Sequence, residues 1–162
     1  MITLKQFSPD DKDRMLEILT DPQIKQTYML PDFEEKADAV PLFERLLQLS
    51  RDSQHFIRGI YLDQLVIGFL NDVEIKDARI EVGYVIHPQF QGKGYMTQAL
   101  KIAIDALIKL GYQQVITGAF EENTASIRVM QKCNMMLQPY TDEIEYRSKT
   151  HRCIYYAISN QE

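Results

Sequence analysis

The sequence predicts an α/β domain built around one mixed sheet, and three observations carry that reading. Segments of strand character and segments of helical period interleave in the order β-α-α-β-β-β-α-β-α-β-β. The most strongly periodic segment follows directly on a glycine-rich turn, which itself follows a strand. Finally, 162 residues with 45% hydrophobic and 25% charged composition suit a single globular domain, residues 1–162.

Residues 2–7 alternate and form a first strand. Ser8-Pro9-Asp10-Asp11 then supplies an N-cap, an N1 proline and first-turn acids ahead of Met15, Leu16, Ile18 and Leu19. Asp21-Pro22 ends that helix, and residues 21–36 are apolar but unperiodic. A second helix spans about residues 37–51, with Val40, Phe43, Leu46, Leu47 and Ser50 on one face. Strands follow at 55–61, 65–73 and 79–87, the first two joined as a hairpin by Leu62-Asp63-Gln64. A helix then carries Met96, Ala99, Leu100, Ala103, Ala106, Leu107 and Leu110 at helical spacing, with Gly111 at its C′ position. Residues 113–119 form a strand, 124–133 a short helix capped by Asn123, and 135–145 and 151–159 two strands linked by the polar stretch 146–150.

Composition excludes several function classes. Eighteen basic against 23 acidic residues give a net charge of −5 with no basic cluster, which argues against nucleic acid as a partner. The longest apolar run, residues 65–70, is far short of the ~18 residues a membrane span needs. Residues 1–9 lack the basic and apolar regions of a secretion signal, so a cytoplasmic protein is expected. Cys133 and Cys153 lack CxxC spacing and read as reduced thiols, though one disulfide between them stays open; the scattered His55, His87 and His151 suggest no metal.

The turn after residues 79–87 carries the chemistry. A strand entering a glycine turn that opens a helix is an anion site, because the first helical N–H groups lack partners and the dipole adds positive charge. The dinucleotide pattern G-x-G-x-x-G fails, since Thr97 stands where its last glycine would be, and the P-loop pattern fails outright. What is met is Q/R-x-x-G-x-G/A, as Gln89-x-x-Gly92-x-Gly94.

Two segments, Glu81-Val-Gly-Tyr-Val-Ile-His-Pro-Gln-Phe-Gln-Gly-Lys-Gly-Tyr-Met-Thr-Gln-Ala-Leu100 and Asn123-Thr-Ala-Ser-Ile-Arg-Val-Met-Gln-Lys132, resemble the pyrophosphate motif and the following N-x-x-S helix of the GNAT superfamily of acetyl-CoA-dependent N-acetyltransferases. The nearest branch resembles the ribosomal-protein N-terminal acetyltransferases, over essentially the whole chain. The resemblance implies a mixed, mostly antiparallel sheet flanked by helices and splayed between the 79–87 and 113–119 strands, where acetyl-CoA inserts. It further implies that backbone groups of Val85, Ile86 and His87 pair with the pantetheine arm. One N–H there would polarise the thioester carbonyl. N–H groups of Gln91, Gly92, Lys93, Gly94, Tyr95 and Met96, with Thr97 nearby, would hold the pyrophosphate, and Asn123 would reach the pantetheine.

Simpler readings stand beside these. Asn123 and Ser126 are also an ordinary helix cap and first-turn residue, Lys93 suits solvent, and His87 suits a plain strand end. In the family transfer is usually direct, so Cys133 and Cys153 need not be nucleophiles. Catalysis needs an acceptor amine freed of its proton, a stabilised oxyanion and a tolerated thiolate. Glu81 is the candidate base, directly or through water, though it also reads as a surface carboxylate on a half-buried strand; Glu122, at the end of the next strand, is the alternative. Met130 stands where many relatives carry a tyrosine acid, which leaves Ser126, Tyr140 or Tyr146 as candidates. Asn134-Met135 replaces the usual Gly-Phe, and asparagine tolerates a left-handed helix end. The expected function is direct acetyl transfer to a primary amine, on a peptide or protein N-terminus. Small-molecule amines (polyamine, amino acid, aminoglycoside-like) and a non-catalytic acetyl-CoA sensor are the alternatives. Nothing in the sequence reports oligomeric state.

Overall fold

The computed structural model describes residues 1–160. Among these residues seven strands form one open sheet in the order β1-β2-β3-β4-β5-β7-β6. They are β1 (Ile2–Lys5), β2 (Ile57–Leu62), β3 (Leu65–Lys76), β4 (Arg79–Ile86), β5 (Gln114–Phe120), β6 (Met136–Tyr146) and β7 (Lys149–Ser159). The helices are α1 (Lys12–Leu19), α2 (Val40–Leu49), α3 (Tyr95–Lys109) and α4 (Thr124–Lys132). β4 and β5 pair in parallel, joined through α3, whereas β1–β2, β2–β3, β5–β7 and β6–β7 pair antiparallel.

The chain divides into two compact units. The first comprises Met1–Asp72 and Tyr84–Tyr95. Its core gathers Phe7, Met15, Ile18, Leu19, Phe43, Phe69 and Val85, with the rings of Phe43 and Phe69 both packed edge-on against Phe7. The entry to α1 follows its sequence closely. Ser8 accepts the Asp10 N–H, and Asp11 returns a carboxylate to the Ser8 N–H at 2.8 Å, so two donors at the helix start are satisfied. Gly68 permits the closest backbone approach: a Cβ there would lie 2.2 Å from the Val85 carbonyl oxygen.

The second unit comprises Val73–Gly83 and the chain from Met96 onward. α3 buries Met96, Ala99, Leu100, Ala103 and Leu107 as its spacing requires. Three positions depart from expectation: Leu110 is 67% exposed, because the helix ends at Lys109, Ala106 is only half-buried, and Ile104 is buried instead. Gly111 takes φ +108 just beyond that end, and Asn134 takes φ +62 after α4, as their places at helix termini demand. The link between β6 and β7 is tighter than the polar stretch suggested. Arg147 and Ser148 both adopt positive φ (+53 and +60), a two-residue hairpin turn without the Asn-Gly signature that would have announced it. β3 also runs three residues beyond the expected end, to Lys76, and those residues matter below.

Candidate active site

The glycine turn lies in the first unit and has the conformation an anion cradle needs. Gly92 and Gly94 adopt φ +74 and +81, while Gln91 before them is extended. Alternating backbone handedness of this kind turns successive N–H groups toward one side. No atom lies within 4 Å of where a Cβ would project from either glycine, so the turn is open as well as left-handed. It leads straight into Tyr95, the first residue of α3.

His87, just before the turn, is buried and committed to structure. Its N–H donates to the Ile67 carbonyl at 2.7 Å, and its carbonyl accepts the Phe90 N–H at 2.9 Å. Its Nδ1 accepts the Gln89 N–H at 3.1 Å, which places the ring proton on Nε2, 3.9 Å from Glu17. The His87 N–H therefore has no free hydrogen for a thioester carbonyl, and that expected role narrows to Val85 and Ile86. The Ile86 carbonyl accepts the Gln91 side-chain amide at 3.3 Å.

Glu81 lies in the second unit at a decisive place in the sheet. The β4–β5 ladder consists of Arg79, Ile80 and Glu81 against Gln114, Val115 and Ile116, and it ends at the Glu81–Ile116 pair. From Val82 onward β4 pairs no further with β5, so Glu81 marks the vertex at which the two strands part. Ile80 and Val82 are fully buried, which turns Glu81 to the opposite face of β4. There it lines a cleft of about 260 Å³ with Glu74 and Lys76 of β3, Arg79, Ile116, Tyr140 and Asp142 of β6, and Tyr155 of β7. Burial pushes its carboxyl up to about 7, and the nearby charges of Glu74 and Asp142 push in the same direction. Tyr155 donates to Asp142 at 2.7 Å, and its ring lies 5.2 Å from that of Tyr140.

The other candidates are dispersed. Asn123 accepts the Ser126 N–H at 3.2 Å and so caps α4. Ser126 is not among the residues lining the Glu81 cleft. Glu122 is engaged with His151, whose Nδ1 lies 2.8 Å from its carboxylate while Nε2 faces the Tyr146 carbonyl at 3.2 Å. The His151 hydrogen bond holds the Glu122 carboxyl below the usual carboxylate range. That makes Glu122 a weaker base than Glu81. The His151 ring stacks on Phe120 at 4.2 Å. Both cysteines are free and buried, and burial pushes the Cys133 thiol up to about 11 and raises that of Cys153. Neither is a ready nucleophile at neutral pH.

Residues 1–136 match the acetyltransferase (GNAT) domain family. The chain belongs to that family. This acetyltransferase is 24% identical, over 134 residues (80% of this chain and 75% of the relative), to the uncharacterized N-acetyltransferase p20 of Bacillus licheniformis. Among solved structures it is similar to the RimL ribosomal L7/L12 α-N-protein acetyltransferase in complex with coenzyme A. There the TM-score is 0.86 at 17% identity, with 98% and 93% of the two chains covered. It is similar also to the spermidine N-acetyltransferase of Vibrio cholerae in complex with CoA and spermine, with TM-score 0.81, 16% identity and coverage of 98% and 95%. The protein is an acetyl-CoA-dependent N-acetyltransferase. No helix among the described residues is long and apolar enough to cross a membrane.

Sequence reasoning missed Glu74, Asp142 and Tyr155. One signal was available: Glu74 and Lys76 on β3, and Arg79 and Glu81 on β4, alternate at period two, so each pair shares a face. The approach of Asp142 and Tyr155 was not legible, since it depends on β7 inserting between β5 and β6.

Proposed function

We propose that this N-acetyltransferase acetylates the α-amine of a peptide or protein, with Glu81 taking the proton from the acceptor directly or through a water. The supporting observation is the placement of Glu81 at the last β4–β5 pair, in a cleft it shares with Glu74 and Asp142. A base at about 7 matches an α-ammonium, which titrates at about 7.7–8.0, far better than an alkylammonium at about 10.4. Proton transfer to Glu81 then costs roughly 1 kcal/mol from an α-ammonium and about 4–5 kcal/mol from a lysine-like amine.

Bound acetyl-CoA supplies the acetyl group as a thioester. The open, left-handed Gly92 and Gly94 suit its pyrophosphate, with N–H groups from Gln91 to Met96 and the Thr97 region as its ligands. In this reading Val85 or Ile86 offers the N–H that polarises the thioester carbonyl, and Asn123 caps α4 while reaching the pantetheine. Tyr140, which lines the cleft with Glu81, is better placed than Ser126 or Tyr146 to give a proton on that side.

The test is thiol release from acetyl-CoA across peptides of varied N-terminal residue, polyamines, free amino acids and aminoglycosides, with product masses. Release with peptides, acetylated on the α-nitrogen, is expected. Turnover confined to polyamines or aminoglycosides would overturn the reading.

A further inference from the structure

The cleft that holds Glu81 carries charges of both signs in an ordered arrangement. Lys76 is the last residue of β3 and Arg79 the first of β4, joined by the turn at Asp77, whose φ is +56. Glu74 and Glu81 lie two residues inward from them on the same faces of their strands. Asp142 from β6 lines the same cleft. Cations therefore stand at the hairpin tip and carboxylates stand one pleat deeper, at the vertex of the sheet.

Neither Lys76 nor Arg79 forms an ion pair with a carboxylate among the described residues, and Asp142 takes its hydrogen bond from Tyr155 instead. A cleft for a polyamine would not place two cations at its rim, because each would repel the incoming chain.

From this arrangement we infer that the acceptor is dipolar: an α-ammonium directed at Glu81, Glu74 and Asp142, and a carboxylate recognised by Arg79 and Lys76. The inference rests on Glu81 being the base for an α-amine. Two residues of extended strand separate the rim from the inner group by about 6–7 Å. One residue of an extended acceptor spans about 3.3–3.6 Å, so the carboxylate belongs one to two residues beyond the amine. Two sources provide it: an acidic side chain at the second position of a longer peptide, or the terminal carboxylate of a dipeptide. Arginine can hold either in a two-point hydrogen bond, and lysine adds a point charge. Tyr140, Tyr155 and Ile116 then border the first side chain.

The test compares kcat/KM for C-terminally amidated hexapeptides that differ only in glutamate, glutamine or lysine at position two, and for Ala-Ala as acid and as amide. Each is run with the wild type and with the Lys76→Gln/Arg79→Gln double variant, whose melting temperature is checked first. Expected is a preference of about fivefold or more for the acidic member of one series, weakening with salt. The ratio should fall to near unity in the double variant. A preference in the hexapeptides names the side chain, and one in the dipeptides names the terminal carboxylate. Equal rates for acidic and neutral acceptors, a preference for lysine, or a preference that survives in the double variant would overturn the inference and leave the α-amine reading standing. Absence of acetylation on every peptide α-nitrogen would overturn both.

Discussion

Replacing Glu81 by glutamine should make the enzyme worse and the fold better, each in a defined pH range. Folding raises this carboxyl from the ordinary glutamate range, about 4.3, to about 7. Between those values the folded state binds more protons than the unfolded state, so stability falls as pH rises through this window. The full cost is present above pH 7 and absent below about pH 4.3. A shift of this size would correspond to about 3–4 kcal/mol for an enclosed group. Glu81 is only half-buried, and solvent screening reduces that to roughly 1 kcal/mol. Glu81→Gln keeps the shape and removes the charge. It should therefore melt higher than the wild type at pH 8, by about 2–4 °C on a chain of this size. At pH 4 the two should melt together. In the same preparation kcat/KM for a peptide acceptor should fall by about a hundredfold or more at neutral pH, with acetyl-CoA affinity near normal. Wild-type kcat/KM should rise with pH through about 7 and lose that limb in the variant. Full activity in Glu81→Gln, or identical melting at pH 8, would refute the reasoning.

Other perturbations separate cofactor, cap and packing roles. Gly92→Glu places a charge and a side chain at φ +74, which costs about 1–2 kcal/mol of backbone strain. No atom opposes its Cβ, so the far-UV spectrum should persist while calorimetry shows acetyl-CoA binding weakened about tenfold or more. Gly68→Ala pushes a methyl group to 2.2 Å from the Val85 carbonyl oxygen and 2.9 Å from the Ile86 Cα. Since both are backbone atoms, a loss of about 2 kcal/mol or more is expected in denaturant titration. Asn123→Asp should keep the α4 cap and the melting temperature, whereas Asn123→Ala should lose about 1 kcal/mol. Weaker acetyl-CoA binding in the aspartate variant would show a pantetheine contact beyond capping.

What the sequence disclosed was local. The cap at Ser8, the left-handed Asn134 and the positive-φ glycines at 92, 94 and 111 follow from neighbours a few residues away, and each was readable from residue type and spacing. Glu81 was legible as a strand residue before the turn, but its raised carboxyl was not. That depends first on burial in the cleft, then on Glu74 across the hairpin and on Asp142, which reaches the cleft only because β7 inserts between β5 and β6. Long-range strand order leaves no short-range signature. The same gap hid the engagement of Glu122 by His151 and the use of the His87 N–H by Ile67. Both contacts join residues distant in the chain, and both revise what those residues can do.

The most direct measurement takes a single peptide that carries a free N-terminus and an internal lysine. It is incubated with the enzyme and acetyl-CoA, and the acetyl group is then located by fragment-ion mass spectrometry. The account predicts acetylation on the α-nitrogen, at a rate rising with pH through about 7. Acetyl found on the lysine side chain, with the N-terminus untouched, would contradict it.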